Sequence, residues 1–459
     1  MAGELRREFS LRDLVLFHIT AVITVRWISY AAARGPSSLS LWALAFFLFF
    51  LPIAYTVIDF TRKMPEQGGL YQWTKVTLGP FHGFICAWCY IVNNLFYFPS
   101  LLVAVSGYFA FSLVGDNQSL QNSKWFVGAF SLGSIWMILF LNLIGLKFGK
   151  WVNNIGGLSI WLPCTLLIIF GFVRYFLHGS ATNFASASFL PNFRILDTWT
   201  AWSLICFAFT GLELASTMSG EVKDPARSIP KSIYLAGFFI TVIYILGTVA
   251  ALFMVSSDKI NLVTGIMQAI SVILGNAGLS FITPTVALLL TLGGLGTFGA
   301  WLAGAARMPY SVGVDRYLPP VLAKVHPRWG TPYVSLLVLG IISSLIVLMS
   351  LAGSTVEKAY LFMANATLII YFIPFVYLFV SHLVMNWKTE KKPLALLLAI
   401  AGIFSTTVAI ILAVLPPPGE PNPWRYFFMI LIGSFGFVLV SLVFYFGGRG
   451  KTLRSNVSQ

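Results

Sequence analysis

The sequence predicts an all-α integral membrane protein with twelve transmembrane helices. The chain of 459 residues is 58% hydrophobic and only 10% charged, and its mean hydropathy of +0.84 lies far outside the range of soluble globular proteins. Apolar runs of about 20 residues, the length that crosses a bilayer, recur along the whole chain. The segments between these runs are short, so we expect no soluble domain.

Each of the twelve apolar runs is predicted to form one membrane span. They are 13–34, 40–61, 82–113, 125–146, 150–177, 197–219, 231–255, 281–306, 333–352, 358–384, 393–415 and 424–446. The first run is too long for a signal peptide and lacks a small-residue cleavage site, so we expect it to stay in the protein.

Basic residues are distributed unevenly between the two sides of the predicted bundle. If the N-terminus is cytoplasmic, most of the 29 lysines and arginines lie in the tails and in alternate loops, among them Arg307 after the eighth span. The positive-inside rule then places both termini in the cytoplasm of a protein integral to the inner or plasma membrane. This topology explains the net charge of +14 without a nucleic-acid-binding face, because the charges do not cluster.

Three spans contain residues that let a membrane helix break or pack closely. The first holds the polar stretch 24–29, which includes Arg26; the sixth holds FAFTGLELASTMSG at 207–220, and the eighth holds TLGGLGTFGAW at 291–301. Interrupted helices at the start of each half indicate a transporter built from inverted repeats. The single domain 1–459 is expected to comprise repeats at 1–177 and 197–384, helices 11 and 12 at 393–446, and a cytoplasmic tail at 447–459.

A helix that breaks in mid-membrane frees backbone groups for ligands. Such groups are tolerated only where protein or a water-filled cavity surrounds them. Freed N–H groups at the start of a half-helix attract a carboxylate, whereas freed carbonyl groups attract an ammonium group or a metal cation. The breaks therefore predict the position of a binding site.

Three segments on the predicted cytoplasmic side resemble signatures of the amino acid-polyamine-organocation superfamily of secondary transporters. The first is MPEQGGLYQWTKVTLGP at 64–80, with the proline, double glycine, tyrosine and trailing glycine of that family. The second is FAFTGLELASTMSGEVKDPARSIPKSI at 207–233, and the third is DRYLPPVLAKVHPRWGTP at 315–332. Together with the spans, the resemblance covers nearly the whole chain.

The resemblance implies a leucine-transporter-type fold, with a 5+5 inverted repeat, helices 1 and 6 broken at mid-membrane, and two appended helices. It also implies alternating access around a central site between helices 1, 3, 6, 8 and 10. In this family pattern Phe207 covers the substrate, Glu213 is a proton-sensing carboxylate and Trp301 lines the pocket. Thr297 aligns near the sodium site of sodium-coupled relatives, and Ile160 aligns where several proton-coupled members carry a lysine.

The first span departs from the family pattern, because TVRWIS replaces a glycine-rich stretch similar to GSGI. A charge near the bilayer centre costs about 2.5–3.5 kcal/mol on insertion scales, so it faces the protein interior and needs a partner. Arg26 would hold a substrate carboxylate in a two-pronged contact, form a permanent buried pair with Glu213, or cap carbonyl groups at the break. These hypotheses overlap, since a pair that exchanges partners when substrate arrives has both roles.

The candidate residues fall into two groups. The candidate substrate-binding residues are Thr24, Arg26, Trp27, Phe207, Thr210, Gly211 and Trp301. The candidate coupling and gating residues are Glu213, Glu221 and Lys223. Glu213 either titrates and favours one conformation or hydrogen-bonds the broken backbone without titrating, and Glu221 and Lys223 belong to an inner gate or to a solvated loop.

Other polar residues lie at a suitable depth for the central site. They are Asn93, Asn94, Tyr97, Asn365 and Thr367. Interhelical hydrogen bonds explain these residues nearly as well as substrate binding does.

No catalytic residue, cofactor or metal site is predicted, because the cysteines lie inside apolar spans and no nucleophile–base set is visible. The sequence thus predicts a secondary transporter of amino acids or related carboxylate-bearing solutes, not an enzyme, with proton coupling or exchange rather than sodium coupling. An organic-anion carrier on the same fold and a non-transporting membrane sensor are the alternatives. The expected partners are a small-molecule substrate, either an amino acid or an organic anion, and the lipid bilayer. No nucleic acid is expected, and the oligomeric state stays open between a monomer and a homodimer.

Overall fold

The computed structural model describes residues 7–115, 118–185, 189–191, 196–260, 265–276, 278–352, 356–416 and 422–457. Within these ranges the chain is helical, and β-type pairing is limited to an isolated parallel bridge between Phe9 and Val222.

The α-helices are numbered here in chain order. They are α1 Leu11–Val22, α2 Val25–Ala32, α3 Ser37–Ala45, α4 Leu51–Lys63, α5 Leu70–Leu78, α6 Pro80–Val114, α7 Gln118–Gln121, α8 Lys124–Leu143, α9 Leu146–His178, α10 Leu196–Ala208, α11 Leu214–Thr217, α12 Pro225–Met254, α13 Gly265–Asn276, α14 Thr283–Val314, α15 Tyr333–Ala352, α16 Val356–Lys388, α17 Pro393–Ala413 and α18 Pro423–Val457. A π-helical turn at Phe46–Phe50 joins α3 to α4 in one span, Ser37–Lys63.

The first membrane span breaks between α1 and α2, whose axes differ by 41°. Ile23 and Thr24 have extended backbone conformations at this point. They belong to a run of four β-branched residues, from Val22 to Val25, and β-branched side chains lower helix propensity. The helix resumes at Val25, so Arg26 lies in the first turn of α2.

The second break separates α10 from α11 at Gly211. This glycine has φ +115°, a conformation that L-residues with side chains rarely adopt. A Cβ atom there would lie 3.1 Å from Cγ2 of Val22 and 3.3 Å from the Trp301 ring. The glycine therefore allows the second break to pack directly against the end of α1 and against α14.

Ten helices of the described chain are long and apolar enough to cross a membrane, and the bent pair α1–α2 brings the number to eleven. The predicted span 197–219 does not form one long helix, because the break divides it into α10 of 13 residues and α11 of four residues. The eighth span was predicted too short. Helix α14 continues to Val314, so Arg307 lies in a helix and not in a loop.

Helices α9 and α14 contact each other through their backbones. A Cβ atom on Gly296 would lie 2.5 Å from Cα of Gly156, and one on Gly293 would lie 2.4 Å from Cγ1 of Ile160. The glycine-rich run 291–301 thus lies at a helix crossing, where small residues let two backbones approach. This crossing fixes α14 beside the first break.

The outer helices expose apolar side chains. On α17 and α18, Phe404, Ile432 and Val443 are each more than half exposed. A surface of this kind is stable against lipid acyl chains and unstable in water. The exposed side of these helices therefore fits the hydrocarbon core of a bilayer.

We expect Gly156→Ala to destabilise the protein. The new methyl group meets the backbone of Gly296, and overpacking of this kind costs about 1–3 kcal/mol. The measurement is the melting temperature of the purified protein in detergent, with Gly133→Ala on α8 as the control, because a Cβ atom there meets nothing within 4 Å. Equal melting temperatures for the two variants would contradict the direct contact.

Candidate functional site

Side-chain donors from α14 cover carbonyl groups at the first break. The indole Nε1 of Trp301 donates to the carbonyl oxygen of Ala21 at 2.8 Å, and the hydroxyl of Thr297 donates to that of Thr20 at 2.8 Å. A buried carbonyl without a partner costs about as much as a lost hydrogen bond, so these bonds stabilise the break. Trp301 therefore contacts the backbone of α1 directly.

Tyr244 of α12 connects the two breaks. Its hydroxyl oxygen lies 2.5 Å from the carbonyl oxygen of Val22 and 3.1 Å from that of Ala208, so the two carbonyls share one proton. The backbone N–H of Thr24 donates to the same hydroxyl at 3.4 Å. The Tyr244 ring stacks on Trp42, with ring centroids 4.6 Å apart. The ends of α1 and α10 therefore have a common partner.

Arg26 is buried in α2 without an anionic partner. The residue is 3% exposed, its Nε and Nη1 atoms have no hydrogen-bond partner, and none of the ion pairs among the described residues includes it. Its Cζ atom lies 4.4 Å from the Trp27 ring centroid and 5.4 Å from that of Tyr97. Such cation–π contacts contribute about 0.5–2 kcal/mol, less than an isolated charge loses on burial.

Aromatic rings from five helices pack beside Arg26, and we name them the aromatic cluster. Its members are Trp27, Tyr97, Phe207, Trp301 and Tyr371. Ring centroids are 5.6 Å apart for Trp27 and Phe207, 5.0 Å for Tyr97 and Trp301, and 5.4 Å for Phe207 and Tyr371. These are favourable aromatic spacings. The predicted candidates Trp27, Phe207 and Trp301 are therefore in one cluster with Arg26.

Glu213 lies directly after the second break and is fully buried. Its carboxylate accepts hydrogen bonds from the Tyr90 hydroxyl at 3.2 Å, from the backbone N–H of Gly211 at 3.0 Å and from the Tyr371 hydroxyl. No hydrogen bond or ion pair joins it to Arg26. Arg26 contacts Tyr97, which lies seven residues after Tyr90, a rise of about 10 Å along α6. The two charged residues are thus at different levels of the same aromatic region.

The remaining polar candidates have local partners or none. The hydroxyl of Thr210 donates to the carbonyl of Phe207 at 2.7 Å. The amide nitrogen of Asn94 donates to the backbone carbonyl of Tyr90 at 2.7 Å. Both amide atoms of Asn93 are buried without a partner.

Two further polar candidates are on α16. Thr367 donates to the carbonyl of Met363 at 2.8 Å, and the side chain of Asn365 lies outside the described residues.

A small cavity of about 20 Å³ lies beside Arg26. Thr24 and Arg26 line it together with Thr297, Ile160 and apolar residues of α6 and α14. This volume holds about one water molecule, so the site is closed in this conformation. A wider groove of about 710 Å³, lined by residues such as Tyr175, contains none of the candidate residues.

Glu221 forms a buried ion pair with Arg307 of α14. The guanidinium Nη2 lies 2.8 Å and 3.0 Å from the two carboxylate oxygens, and Nε lies 3.1 Å from one of them. Nη1 donates to the carbonyl of Ala303 at 2.6 Å. The pair joins the segment after α11 to α14 at the predicted cytoplasmic side.

The N-terminal segment covers the same region. The backbone N–H groups of Glu8 and Phe9 donate to the carbonyl of Glu221 at 2.9 Å and 3.1 Å, and that of Lys223 donates to the carbonyl of Phe9 at 3.3 Å. The side chain of Lys223 is exposed. Lys223 therefore contributes its backbone to this contact, and its charge lies outside the central site.

The three segments that carry the sequence resemblance contact one another. The amide nitrogen of Gln67 donates to the carbonyl of Thr217 at 2.6 Å, and its amide oxygen accepts from the N–H of Gly220 at 2.7 Å. Lys75 forms an ion pair with Asp315 at 2.6 Å. Segment 64–80 therefore binds both 207–233 and 315–332.

The sequence did not identify the partners Tyr90, Tyr244, Arg307 and Tyr371. A polar group deep in an apolar span needs a partner. This signal applied to the three tyrosines but was too weak for selection, because the chain has 17 tyrosines. Arg307 was predicted to follow the eighth span, so the signal did not apply to it. Among the described residues no three His, Cys, Asp or Glu side chains form a group that could hold a metal ion.

The described chain has ten or eleven apolar helices. Its two helix breaks pack against each other, and a buried arginine follows the first of them. These features are typical of the class of multi-pass membrane transporters. The family model for amino acid permeases matches residues 9–436. The chain belongs to this amino acid permease family, whose members are transporters and not enzymes.

Several relatives are similar over most of their length. An uncharacterized transporter of Legionella pneumophila is 24% identical over 96% of this chain and 97% of its own. The branched-chain amino acid permease BcaP of Bacillus subtilis is 28% identical over 74% of each chain. The probable agmatine/putrescine antiporter AguD of Lactococcus lactis is 24% identical over 75% of this chain and 72% of its own.

We expect Glu221→Gln to destabilise the protein by about 3–5 kcal/mol, because it leaves the charge of Arg307 buried without a partner. The double variant Glu221→Gln with Arg307→Met removes both charges and should recover much of that loss. The measurement is the thermal unfolding of the three proteins in the same detergent. A double variant that is less stable than Glu221→Gln would contradict this account.

Proposed function

We propose that this protein is a secondary transporter that moves amino acids or related carboxylate-bearing solutes by alternating access. The observation that carries the proposal is Arg26 at the start of α2, whose Nε and Nη1 atoms are buried without a hydrogen-bond partner. A buried cation needs an anion, and a carboxylate matches the planar fork of an arginine. The names of the relatives include both neutral amino acids and polyamines, and Arg26 favours a carboxylate over a polyamine.

The candidate binding residues have distinct tasks in this proposal. Arg26 and the hydroxyl of Thr24 hold the carboxylate, Trp27 and Phe207 cover it, and Trp301 forms the opposite wall. Thr210 and Gly211 shape the second break. Because the Arg26 cavity holds about one water molecule and neither Trp27 nor Phe207 lines it, solute entry requires the cavity to widen towards the aromatic cluster. Opening towards the cytoplasm requires the contacts of Glu221 and Lys223 with the N-terminal segment to separate.

The proposed architecture consists of the two repeats 1–177 and 197–384 with both termini in the cytoplasm. The breaks at Thr24 and Gly211 fall at corresponding places near the starts of these repeats, which supports the division. Helices α17 and α18 follow the second repeat.

Coupling to protons or exchange is proposed in preference to sodium coupling. Two features support this choice. Glu213 is a buried carboxylate at the second break, held by three hydrogen bonds. The hydroxyl of Thr297, which aligns near a sodium site, donates to a backbone carbonyl.

A carrier of organic anions on the same fold is the second candidate function. The observation that favours it is again Arg26, because this residue recognises a carboxylate whether or not the solute has an amino group. Counterflow in proteoliposomes, with labelled amino acids and organic acids, tests both candidates in one experiment. Exchange of any carboxylate-bearing solute supports transport, and the absence of exchange by a well-folded preparation contradicts it.

Arg26→Ala is expected to lower counterflow of the transported carboxylate by about 10- to 100-fold. Loss of a hydrogen bond to a charged group costs about 1.5–3 kcal/mol, and each 1.4 kcal/mol corresponds to a factor of ten. Arg34→Ala, in the turn after α2, is the control and should retain transport. Undiminished counterflow by a normally expressed Arg26→Ala protein would refute the assigned role.

Glu213→Gln is expected to abolish stimulation of uptake by an inward proton gradient while exchange continues. The amide keeps an acceptor oxygen for Tyr90 and Tyr371 but has no acidic proton to exchange at ordinary pH. The measurement is uptake into proteoliposomes with and without the gradient, with the exposed Glu390→Gln as control. Full stimulation in the Glu213→Gln protein would contradict coupling through this carboxylate.

A further inference from the structure

The charge of the solute can be inferred from the hydrogen-bonding groups that the site leaves unpaired. We propose that the transported solute is a net anion, so that acidic or des-amino carboxylates are selected over zwitterionic amino acids. This inference rests on the proposed transport function and concerns the same site.

The small cavity beside Arg26 has an excess of positive charge. Arg26 lines the cavity and is 3% exposed, and its Nε and Nη1 atoms have no partner. Thr24 lines the same cavity and is 6% exposed, and its hydroxyl also has no hydrogen-bond partner. The other lining residues are apolar except Thr297 and Tyr108. The cavity thus contains a cation and no counter-ion.

Backbone carbonyl groups at the two breaks are the groups that could receive an ammonium group. Carbonyl oxygens at broken helices are the usual partners of a cation, and five of them here already lie within hydrogen-bond distance of a side-chain donor. At the end of α1, the carbonyls of Thr20 and Ala21 accept from side chains of α14. The carbonyls of Val22 and Ala208 share the hydroxyl proton of Tyr244. On the second break the carbonyl of Phe207 accepts from Thr210.

Glu213, the buried carboxylate after the second break, is the candidate acidic partner for an ammonium group. Its two oxygens accept three hydrogen bonds, from Tyr90, Tyr371 and the backbone of Gly211. It does not line the cavity beside Arg26. An ammonium group on the solute would therefore reach Glu213 only away from this cavity, and beside Arg26 it would meet a like charge.

These three observations favour the same chemical class. A zwitterion supplies the carboxylate that Arg26 needs but adds a cation that the site does not receive. A solute of net charge −1 supplies the missing anion without a net surplus of positive charge at the site. Two sources have this net charge. The des-amino analogue of a neutral amino acid has no ammonium group, and an acidic amino acid has one but balances it with a second carboxylate.

Two matched pairs of solutes test the inference in proteoliposomes. Glutamate and glutamine differ in side-chain charge at nearly equal size, and 4-methyl-2-oxopentanoate differs from leucine by the absence of the ammonium group. We expect counterflow of the anion to exceed that of its zwitterionic partner by at least about tenfold in one pair or both. Preference for glutamate alone identifies an acidic amino acid as the source, and preference for the oxo acid identifies a des-amino anion.

Variants show whether the preference originates at Arg26. Arg26→Lys keeps the charge and should keep the direction of the preference, whereas Arg26→Gln should reduce it to less than about twofold. Arg34→Gln is the control and should leave it unchanged. A preference that survives in a folded Arg26→Gln protein would overturn the assignment to this residue.

The outcomes separate this inference from the proposed function. Equal or better counterflow of glutamine and leucine would overturn the net-anion inference while supporting transport. Absence of counterflow with all four solutes, from protein that elutes as a single species in size-exclusion chromatography, would overturn both.

Discussion

The arrangement of the site depends on how the protein satisfies the backbone of two broken helices inside a membrane. Water cannot reach the carbonyl groups at the ends of α1 and α10, so each needs a donor from the protein. The Tyr244 hydroxyl serves both ends, at 2.5 Å from Val22 and 3.1 Å from Ala208. Because one hydroxyl binds both, the breaks cannot move independently without losing a buried hydrogen bond. The position of Arg26, in the first turn of α2 directly after the first break, follows from this link.

Three sets of charged or polar contacts lie at successive levels of the bundle. In the first set, Arg26 contacts the rings of Trp27 and Tyr97. In the second, Glu213 accepts a hydrogen bond from Tyr90, which lies about 10 Å from Tyr97 along α6. The third is the Glu221–Arg307 pair, which follows α11. Only the last set is an internally balanced ion pair. Arg26 has no ion-pair partner among the described residues, and in the proposed function the carboxylate of the solute becomes that partner.

The sequence predicted those features that depend on local composition. Hydropathy marked the spans, the polar stretch around Arg26 marked the first break, and Gly211 lies in the segment that marked the second. Features that depend on contacts between distant segments were not predicted. Tyr244 reads as an ordinary residue of an apolar helix until Val22 and Ala208 are brought to its hydroxyl. Arg307 was assigned to a loop because hydropathy falls there, although Glu221 keeps it buried and α14 continues past it.

The division of the sixth span was predicted from its segment 207–220 and from the family resemblance, and hydropathy alone would not have predicted it. Hydropathy averages over a window and cannot distinguish one continuous helix from α10 followed by a turn and α11, because both have the same composition. The distinction comes from Gly211, whose positive φ permits contact with Val22 and Trp301. A local property of one residue thus has its effect only through the neighbours that the fold supplies.

The crossing of Gly156 and Gly296 has a mechanical consequence. Where two helices meet through side chains, a change of angle requires rotamers to interconvert and interlocked shapes to separate. Where two helices meet through bare backbone, no side chain has to change its rotamer or separate from its neighbours. At Gly156 and Gly296 a change of angle between α9 and α14 therefore requires no change of rotamer, whereas the Ile160 side chain packed on Gly293, one turn away, limits the size of that change.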